Sequence, residues 1–330
     1  MMEDVQREGR VLLIDGPNIF TKFYIVNPSV SVNGDPVGGV KGFLSFLLVL
    51  CRKVRPDTII VAWDGEAGSQ RRKFLNSEYK KGRSLIADRK LNRLIDVLSV
   101  EQEEESRKIQ QSMLMNYIQK LPIFQVKLDS LEADDVISYL CKVFDKHQKV
   151  IVSSDKDFIQ LCDNKTVLFR STEKEVLTKP RIIKKYGISP SNFSLARAIS
   201  GDKSDNLVGV PRVGLKTLAK RFPCLKEDKK LGFDFLYEIC SDSKSKSLKV
   251  YKGILEHKKD IELNYRIMQL YEPFASEEEK IKISNIIKDD YCPLDTTKIY
   301  KMMSSDGFFV DLEPLFAFFR VILSKNKNAS

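Results

Sequence analysis

Only two histidines occur in this chain of 330 residues, and no two of its six cysteines have CxxC spacing. The scattered cysteines argue against a zinc site, and His147 and His257 lie far from any Ser or Cys nucleophile motif. The longest apolar stretch, Phe43 to Cys51, is too short to cross a bilayer and predicts a buried helix. The first ten residues are charged and do not resemble a secretory signal. Together these absences predict a globular protein in a reducing, cytoplasmic setting, with no membrane partner.

Positive charge is in excess. The 55 Lys and Arg residues outnumber the 45 Asp and Glu residues, which gives a net charge of +10. Such an excess favours a polyanionic partner, although many basic proteins bind no nucleic acid. The hydrophobic content of 42% is sufficient for one large core, or for a core with a smaller appended domain.

Three short apolar runs have the length and β-branched content of buried strands: Val11 to Ile14, Thr58 to Ala62, and Val150 to Val152. Helical patterns lie between them, so residues 1–190 are predicted to form an α/β domain with a mostly parallel sheet. From residue 191 to residue 330 the strand signals stop, and helical stretches flank a Gly-rich turn. A smaller helical domain is expected there.

Acidic residues follow each predicted strand: Asp15 after the first, Asp64 after the second, and Asp155 and Asp157 after the third. The carboxyl ends of parallel strands meet at one edge of a sheet, where open α/β sheets bind ligands. Further acids occur in LEADDVI and GDKSDN. The full set of candidate ligands contains Asp15, Asp64, Glu132, Asp134, Asp135, Asp155, Asp157, Asp202 and Asp205.

Each of these acids alone could simply cap a helix or form a turn. Nine converging carboxylates without cations would repel one another and raise each other's pKa values, and divalent metal ions would relieve that repulsion. An all-oxygen site favours Mg²⁺, with Mn²⁺ as a substitute, over zinc. Two such ions about 4 Å apart suit phosphodiester displacement.

A basic run, RRKFLNSEYKKGR, extends from Arg71 to Arg83, and the alternative to a functional role is a solvated charged face. In the functional interpretation Lys80 and Arg83 hold a phosphate, and Tyr79 either stacks on a base or packs. GVPRVG predicts a hairpin that binds phosphates through backbone amides, or alternatively a structural helix corner. The candidate DNA contacts are Arg71, Arg72, Tyr79, Lys80, Arg83, Lys203, Gly209, Val210, Arg212, Val213, Gly214, Lys216 and Lys220.

Six motifs occur in the order LLIDGPNIF, VAWDG, EYKKGR, LEADDVI, SSDKDFIQL and GDKSDNLVGVPRVGLKT. Over residues 10–225 the chain thereby resembles the 5′ nuclease family of flap endonucleases, phage 5′→3′ exonucleases and the N-terminal nuclease of DNA polymerase I. With no polymerase segment following, it is similar to the freestanding phage type, including the T-even phage ribonuclease H. The resemblance implies a PIN-like (resolvase-like) sheet, a helical arch at about residues 84–120, and a helix-hairpin-helix (H3TH) motif at about residues 195–225.

The resemblance also implies roles for single residues. A first metal group would contain Asp15, Asp64, Glu132, Asp134 and Asp135, and a second would contain Asp155, Asp157, Asp202 and Asp205, some of them acting through water. Lys80 and Arg83 would contact the scissile phosphate, and the catalytic set is expected to be Lys80, Arg83, Asp15, Asp64, Asp155 and Asp202. A K⁺ ion would sit at the hairpin. The acidic patch Glu101 to Glu105 departs from the basic lining expected of an arch.

These features predict a Mg²⁺-dependent nuclease that cuts 5′ flaps, nicked or gapped duplex and RNA:DNA hybrids, and that removes primers during replication. The alternatives are a PIN-type single-strand ribonuclease and a non-catalytic DNA junction binder. We expect a monomer in the cytoplasm of a bacterium or a phage-infected cell. The apolar run from Phe308 to Phe319 is expected to pack on the body, or else to bind a replication partner such as a single-stranded-DNA-binding protein or a sliding clamp.

Overall fold

A six-stranded sheet forms the centre of the computed structural model, which describes residues 9–82, 98–242, 248–289 and 292–327. The strand order is β3-β2-β1-β4-β5-β6; the first five strands are parallel and β6 runs antiparallel to β5. The strands are β1 (Arg10–Asp15), β2 (Thr58–Trp63), β3 (Phe124–Lys127), β4 (Gln148–Val152), β5 (Thr166–Arg170) and β6 (Glu175–Leu177).

The three predicted strands are confirmed as β1, β2 and β4, which are adjacent strands in the interior of the sheet. In β1 and β2 five consecutive residues are buried, because helices cover both faces of the sheet. The sequence did not predict β3 and β5. β3 has only four residues, and in β5 buried and half-buried positions alternate, so neither forms a continuous apolar run.

Helices occupy most of the remaining described residues. They are α1 (Gly16–Val26), α2 (Gly38–Val54), α3 (Gln70–Leu75), α4 (Val100–Ile118), α5 (Ala133–Val143), α6 (Lys179–Tyr186), α7 (Pro190–Ser200), α8 (Leu215–Arg221), α9 (Phe233–Ser241), α10 (Lys249–Glu256), α11 (Lys258–Met268), α12 (Glu277–Lys288), α13 (Thr296–Ser305) and α14 (Glu313–Lys327). The predicted helix Phe43 to Cys51 is confirmed within α2. None of the helices in the described ranges is long and apolar enough to cross a membrane.

The acidic patch Glu101 to Glu105 opens α4, in the second half of the predicted arch. Ser99 and Gln102 form a capping box there, and acids in the first turn complement the helix dipole. Glu103 is buried and accepts a hydrogen bond from the Tyr24 hydroxyl, so this acid faces the body of the protein. The first half of the predicted arch, residues 84–97, lies outside the described residues.

Two apolar cores lie on opposite faces of the sheet. One core contains α5, α7 and α11. It includes residues from both sides of residue 190, so it does not mark a domain boundary there, and the predicted boundary stays a prediction. The other contains α1, α2 and the C-terminal helices, in which Leu315, Phe316 and Phe319 are fully buried. The packing interpretation of the C-terminal run is therefore confirmed for these residues, whereas Phe309 remains 62% exposed.

Candidate active site

Acidic side chains from neighbouring strands meet at the carboxyl edge of the sheet, as predicted. Asp15 ends β1 beside Ala62 of β2, and Asp64 and Asp155 follow β2 and β4. Asp15 also caps α1, since its carboxylate accepts from the Asn18 amide at 3.2 Å and from the Ser153 hydroxyl at 2.7 Å. These bonds fix the carboxylate at the junction of β1 and α1.

Asp64 connects this edge to α5. Its carboxylate accepts from the Ala133 amide at 2.8 Å, and Glu132 precedes α5 as its N-cap residue. This hydrogen bond brings the LEADDVI acids to the same place. The result is a cleft of about 310 Å³ lined by Asp15, Pro17, Asn18, Thr21, Asp64, Gly65, Ser69, Lys80, Glu132, Ala133, Asp134, Asp155 and Phe158.

The electrostatics of the cleft fit a divalent cation. Asp15 is 8% exposed, and its burial, together with the charges of Asp64 and Asp155, raises its pKa to about 8 in spite of the Ser153 hydrogen bond. A carboxyl group that resists ionisation in this way becomes a good ligand when a cation compensates the charge. The available donors are carboxylate oxygens, which suit Mg²⁺ or Mn²⁺.

Among the described residues that line the cleft, Lys80 is the one cation. Its ammonium lies 2.6 Å from Glu132 Oε1, and its side chain is 24% exposed. The backbone at Lys80 is left-handed, with φ 54°, and its amide donates to the Asp205 carbonyl at 3.1 Å. The side-chain Nδ2 of Asn206 donates to the carbonyls of Glu78 and Lys81. The GDKSDN turn therefore holds the EYKKGR loop against the cleft.

The burial of Arg72 and Tyr79 contradicts the prediction that these two residues contact DNA. Arg72 is 1% exposed, and its guanidinium donates to Glu132 at 2.7 Å and to Asp135 at 2.6 and 3.0 Å. Tyr79 is 3% exposed and donates to Glu132 at 3.2 Å, which confirms the packing alternative. Both side chains are buried against these acids and neither lines the cleft, so neither is exposed as a DNA contact.

Glu132, Asp134 and Asp135 offer oxygens that lie within 4.8 Å of one another, close enough to hold a metal ion. Asp135, however, is fully buried, and its oxygens already accept from Arg72 and from the Phe274 amide at 3.0 Å. Asp135 thus holds Arg72 in place. Asp134, with 28% of its side chain exposed and one oxygen 3.7 Å from Arg72, is the most accessible carboxylate of this group.

The second acidic group surrounds Arg197, a residue that the sequence did not indicate. Its Nε donates to Asp157 at 2.9 Å, and its terminal nitrogen donates to Asp202. Burial and Asp155 raise the pKa of Asp157 to about 7 despite this partner. Partial burial opposes ionisation of Asp202, yet hydrogen bonds from Ser204 and Arg197 lower its pKa. The sequence places Arg197 five residues before Asp202, within an ordinary helical pattern. That spacing was the only sign that Arg197 belongs to this acidic group.

The predicted hairpin from Gly209 to Gly214 connects α7 and α8. A Cβ at Gly209 would lie 2.2 Å from the Ser200 carbonyl carbon, so this backbone contact requires glycine. Val210 and Val213 are buried, and their amides donate to the carbonyls of Ile199 and Val210. This corrects their prediction as DNA contacts, because both amides already have partners within the protein.

The other cationic side chains predicted to contact DNA differ in their exposure to solvent. Lys203, Arg212, Lys216 and Lys220 are exposed around the hairpin and free to face a polyanion. Arg71 instead pairs with Glu279 at 2.9 Å. Arg83 lies outside the described residues.

This geometry agrees with the comparisons to known proteins. A family model described as the N-terminal resolvase-like domain of 5′-3′ exonucleases matches residues 10–187. The chain belongs to the 5′-3′ exonuclease family. Members of this family are exonuclease and flap endonuclease hydrolases, and the resemblance inferred from the six motifs is confirmed.

Relatives of similar length support the family membership. A 5′-3′ exonuclease of Aquifex aeolicus is 30% identical and aligns over 82% of this chain and 86% of its own. One from Buchnera aphidicola is 28% identical, over 89% of this chain and 97% of its own. The flap endonuclease of bacteriophage T5, solved with DNA and metal ions, superposes with a TM-score of 0.64 at 16% identity, over 89% and 99% of the two chains. The last likeness shows the 5′-3′ exonuclease fold.

Proposed function

We propose that this 5′-3′ exonuclease family member hydrolyses phosphodiester bonds in DNA, and in RNA paired to DNA, at a 5′ end or flap junction. Two Mg²⁺ ions are its cofactors, and Mn²⁺ substitutes for Mg²⁺. The observation that carries the proposal is the carboxylate cleft with Lys80 in its wall. The T5 flap endonuclease, which was solved with DNA and metal ions, supports the choice of substrate.

The ligands divide into two groups. Asp15, Asp64, Glu132 and Asp134 hold the first ion, with Asp135 positioning Arg72 behind them; Asp155, Asp157, Asp202 and Asp205 hold the second. When bound, the ions lower the pKa of the attacking water and neutralise charge on the phosphate. In this arrangement Asp15, with its raised pKa, gives up its proton to the solvent. Ser153 holds the resulting carboxylate in place.

Apart from the proposed metal ions, Lys80 supplies the positive charge among the described residues of the cleft. Its ammonium pairs with Glu132, whose other oxygen accepts from Arg72 and Tyr79. Glu132 is therefore neutralised from behind, and Lys80 can turn to a phosphate oxygen without leaving a bare carboxylate. Arg83, three residues further on, is proposed as a second phosphate contact.

The hairpin positions the substrate. Arg212, Lys216, Lys220 and Lys203 are exposed and contact duplex phosphates without reading bases. Gly214 is exposed and is the N-cap residue of α8, and a K⁺ ion at the hairpin is part of the proposal. Primer and flap removal during replication by a cytoplasmic monomer is the task that suits this substrate range.

The test is cleavage of a 5′-flap, a nicked duplex and an RNA:DNA hybrid, with product ends mapped as Mg²⁺ is titrated. Asp64→Asn, Asp155→Asn and Asp202→Asn should abolish cleavage and leave DNA binding largely intact. Glu66→Gln is the matched control, since Glu66 follows Asp64 by two residues, is exposed and does not line the cleft.

Each rival function has its own outcome. Cleavage of single-stranded RNA but of none of the DNA substrates would identify a PIN-type ribonuclease. Tight junction binding with no cleavage at any Mg²⁺ or Mn²⁺ concentration would identify a non-catalytic binder. Magnesium-dependent cleavage that survives all three Asp→Asn changes would overturn the assignment of the site.

A further inference from the structure

A second groove, separate from the carboxylate cleft, lies between α3, α11 and the turn at residues 269–274. Its volume is about 640 Å³, and it shares no lining residue with the cleft. We call it the α3–α11 groove and define it by six of its lining residues, namely Arg71, Phe74, Lys230, Tyr265, Arg266 and Tyr271. Cations and aromatic rings dominate this set.

Phe74 is the most unusual residue of the groove. Its side chain is 92% exposed, whereas Arg72 on the opposite side of the short helix α3 is 1% exposed. A phenyl ring left almost wholly in water contributes nothing to the core, and its face is accessible to a ligand in the groove. Phe74 therefore offers a free aromatic face.

The groove floor is rigid. Tyr271 donates from its hydroxyl to the carbonyls of Pro190 and Ser191 at 3.1 Å, which ties the ring to the start of α7. Tyr265 packs edge-on against Phe233, with ring centroids 5.2 Å apart. Because these rings are already held in place, a ligand that meets them loses little of its binding energy to ordering them.

The charge of the groove is positive. The Lys230 ammonium lies 4.2 Å from the Tyr271 ring centroid and 5.9 Å from that of Tyr265. Lys230 and Arg266 are exposed, and neither forms an ion pair with any described residue. Glu272 is the single acid among the lining residues in the described part of the chain. The groove thus combines two exposed cations, Lys230 and Arg266, with aromatic rings.

We propose that the α3–α11 groove binds an unpaired segment of nucleic acid, with a base stacked on Phe74 and phosphates held by Lys230 and Arg266. Stacking on an exposed ring beside cations is how sequence-tolerant single-strand sites bind. Phe74 precedes Lys80 of the cleft wall by six residues in the sequence. A nucleic acid strand offers both a flat base to stack on Phe74 and regularly spaced phosphates for Lys230 and Arg266. An acidic peptide offers the negative charges without the bases.

The experiment measures binding of a fluorescent oligo-dT to the full chain in EDTA, where no cleavage occurs, by fluorescence anisotropy. Phe74→Ala should weaken binding about 5-fold or more, since stacking is worth roughly 1–3 kcal/mol per base. Phe74→Trp should retain it. Phe235→Ala is the matched control, because Phe235 is 44% exposed on α9 and does not line the groove. Lys230→Gln should reduce the salt dependence of log K by about 0.7.

Ultraviolet crosslinking of a 5-iodouracil oligonucleotide locates the contact directly, and we expect crosslinked peptides from residues 70–75 or 265–274. The proposal is overturned if Phe74→Ala and Lys230→Gln bind oligo-dT like the unmodified chain and no crosslink maps to these segments. It is also overturned if Phe74→Ala loses affinity for a polyglutamate-tyrosine peptide while keeping affinity for oligo-dT. Because binding is read without cleavage, these outcomes do not depend on the proposed nuclease activity.

Discussion

Replacing Arg72 by Met tests whether the buried arginine supports the acidic wall of the cleft. The guanidinium is 1% exposed, donates to Glu132 and Asp135, and also donates through Nε to the Ile267 carbonyl at 3.0 Å. Methionine fills much of the volume, but it leaves Asp135 without its ion-pair partner and Glu132 with Lys80 alone. Breaking one side of a buried ion pair costs about 3–5 kcal/mol of unfolding free energy, and we expect Arg72→Met to fall in that range.

The matched control is Arg71→Met, one residue earlier on the same helix. Arg71 also pairs with a glutamate, but 37% of its side chain is exposed, and such pairs contribute about 1 kcal/mol or less. The assay is urea unfolding of both variants in EDTA, so that no metal ion compensates the freed carboxylates. The double change Arg72→Met with Asp135→Asn should recover part of the loss, because the buried charge of Asp135, which loses its ion-pair partner in Arg72→Met, is then removed.

The result that would refute this reasoning is an Arg72→Met variant within about 1 kcal/mol of Arg71→Met at equal m-values. That outcome would mean that the carboxylates adjust by taking up protons or water, and that Arg72 does not organise the cleft wall. A large loss with no recovery in the double variant would assign the effect to packing against Phe274, whose ring centroid lies 4.9 Å from the guanidinium carbon.

Further predictions concern protons, phosphate and the second acidic group. Because the pKa of Asp15 is raised to about 8 from its ordinary value near 4, this group lowers the stability of the metal-free protein as pH rises between these values. Mn²⁺ should therefore raise the melting temperature more at pH 8 than at pH 5, and calorimetry at pH 7 in two buffers should show proton release that Asp15→Asn diminishes. Lys80→Met should lower the cleavage rate about 100-fold, whereas Lys81→Met, whose side chain is 66% exposed, should cleave normally; equal rates in single-turnover assays would contradict the role of Lys80. Arg197→Gln removes the ion pair between Arg197 and Asp157, so Mn²⁺ should raise the melting temperature of this variant more than that of the unmodified chain. An equal or smaller rise in melting temperature would count against a competition between Arg197 and the metal ion for Asp157.

The sequence alone was sufficient for the features that depend on local pattern. Short β-branched runs predict central strands because such residues suit a sheet covered on both faces, and an acid directly after each run must lie at the carboxyl edge. The sequence pattern therefore places Asp15 and Asp64 correctly at this edge of the sheet. The hairpin follows in the same way from its glycines, one of which lies too close to the Ser200 carbonyl for a side chain.

Tertiary structure decided the direction in which side chains point and which distant charges meet. Arg72 belongs to a basic run, yet it is buried because Asp135, 63 residues later, faces it from another helix. Arg197 and Asp157 meet across 40 residues, and nothing in the local pattern of either one indicates the other. Periodicity determines which residues form a strand or helix, but burial and charge pairing depend on how those elements pack, and that is a property of the whole chain.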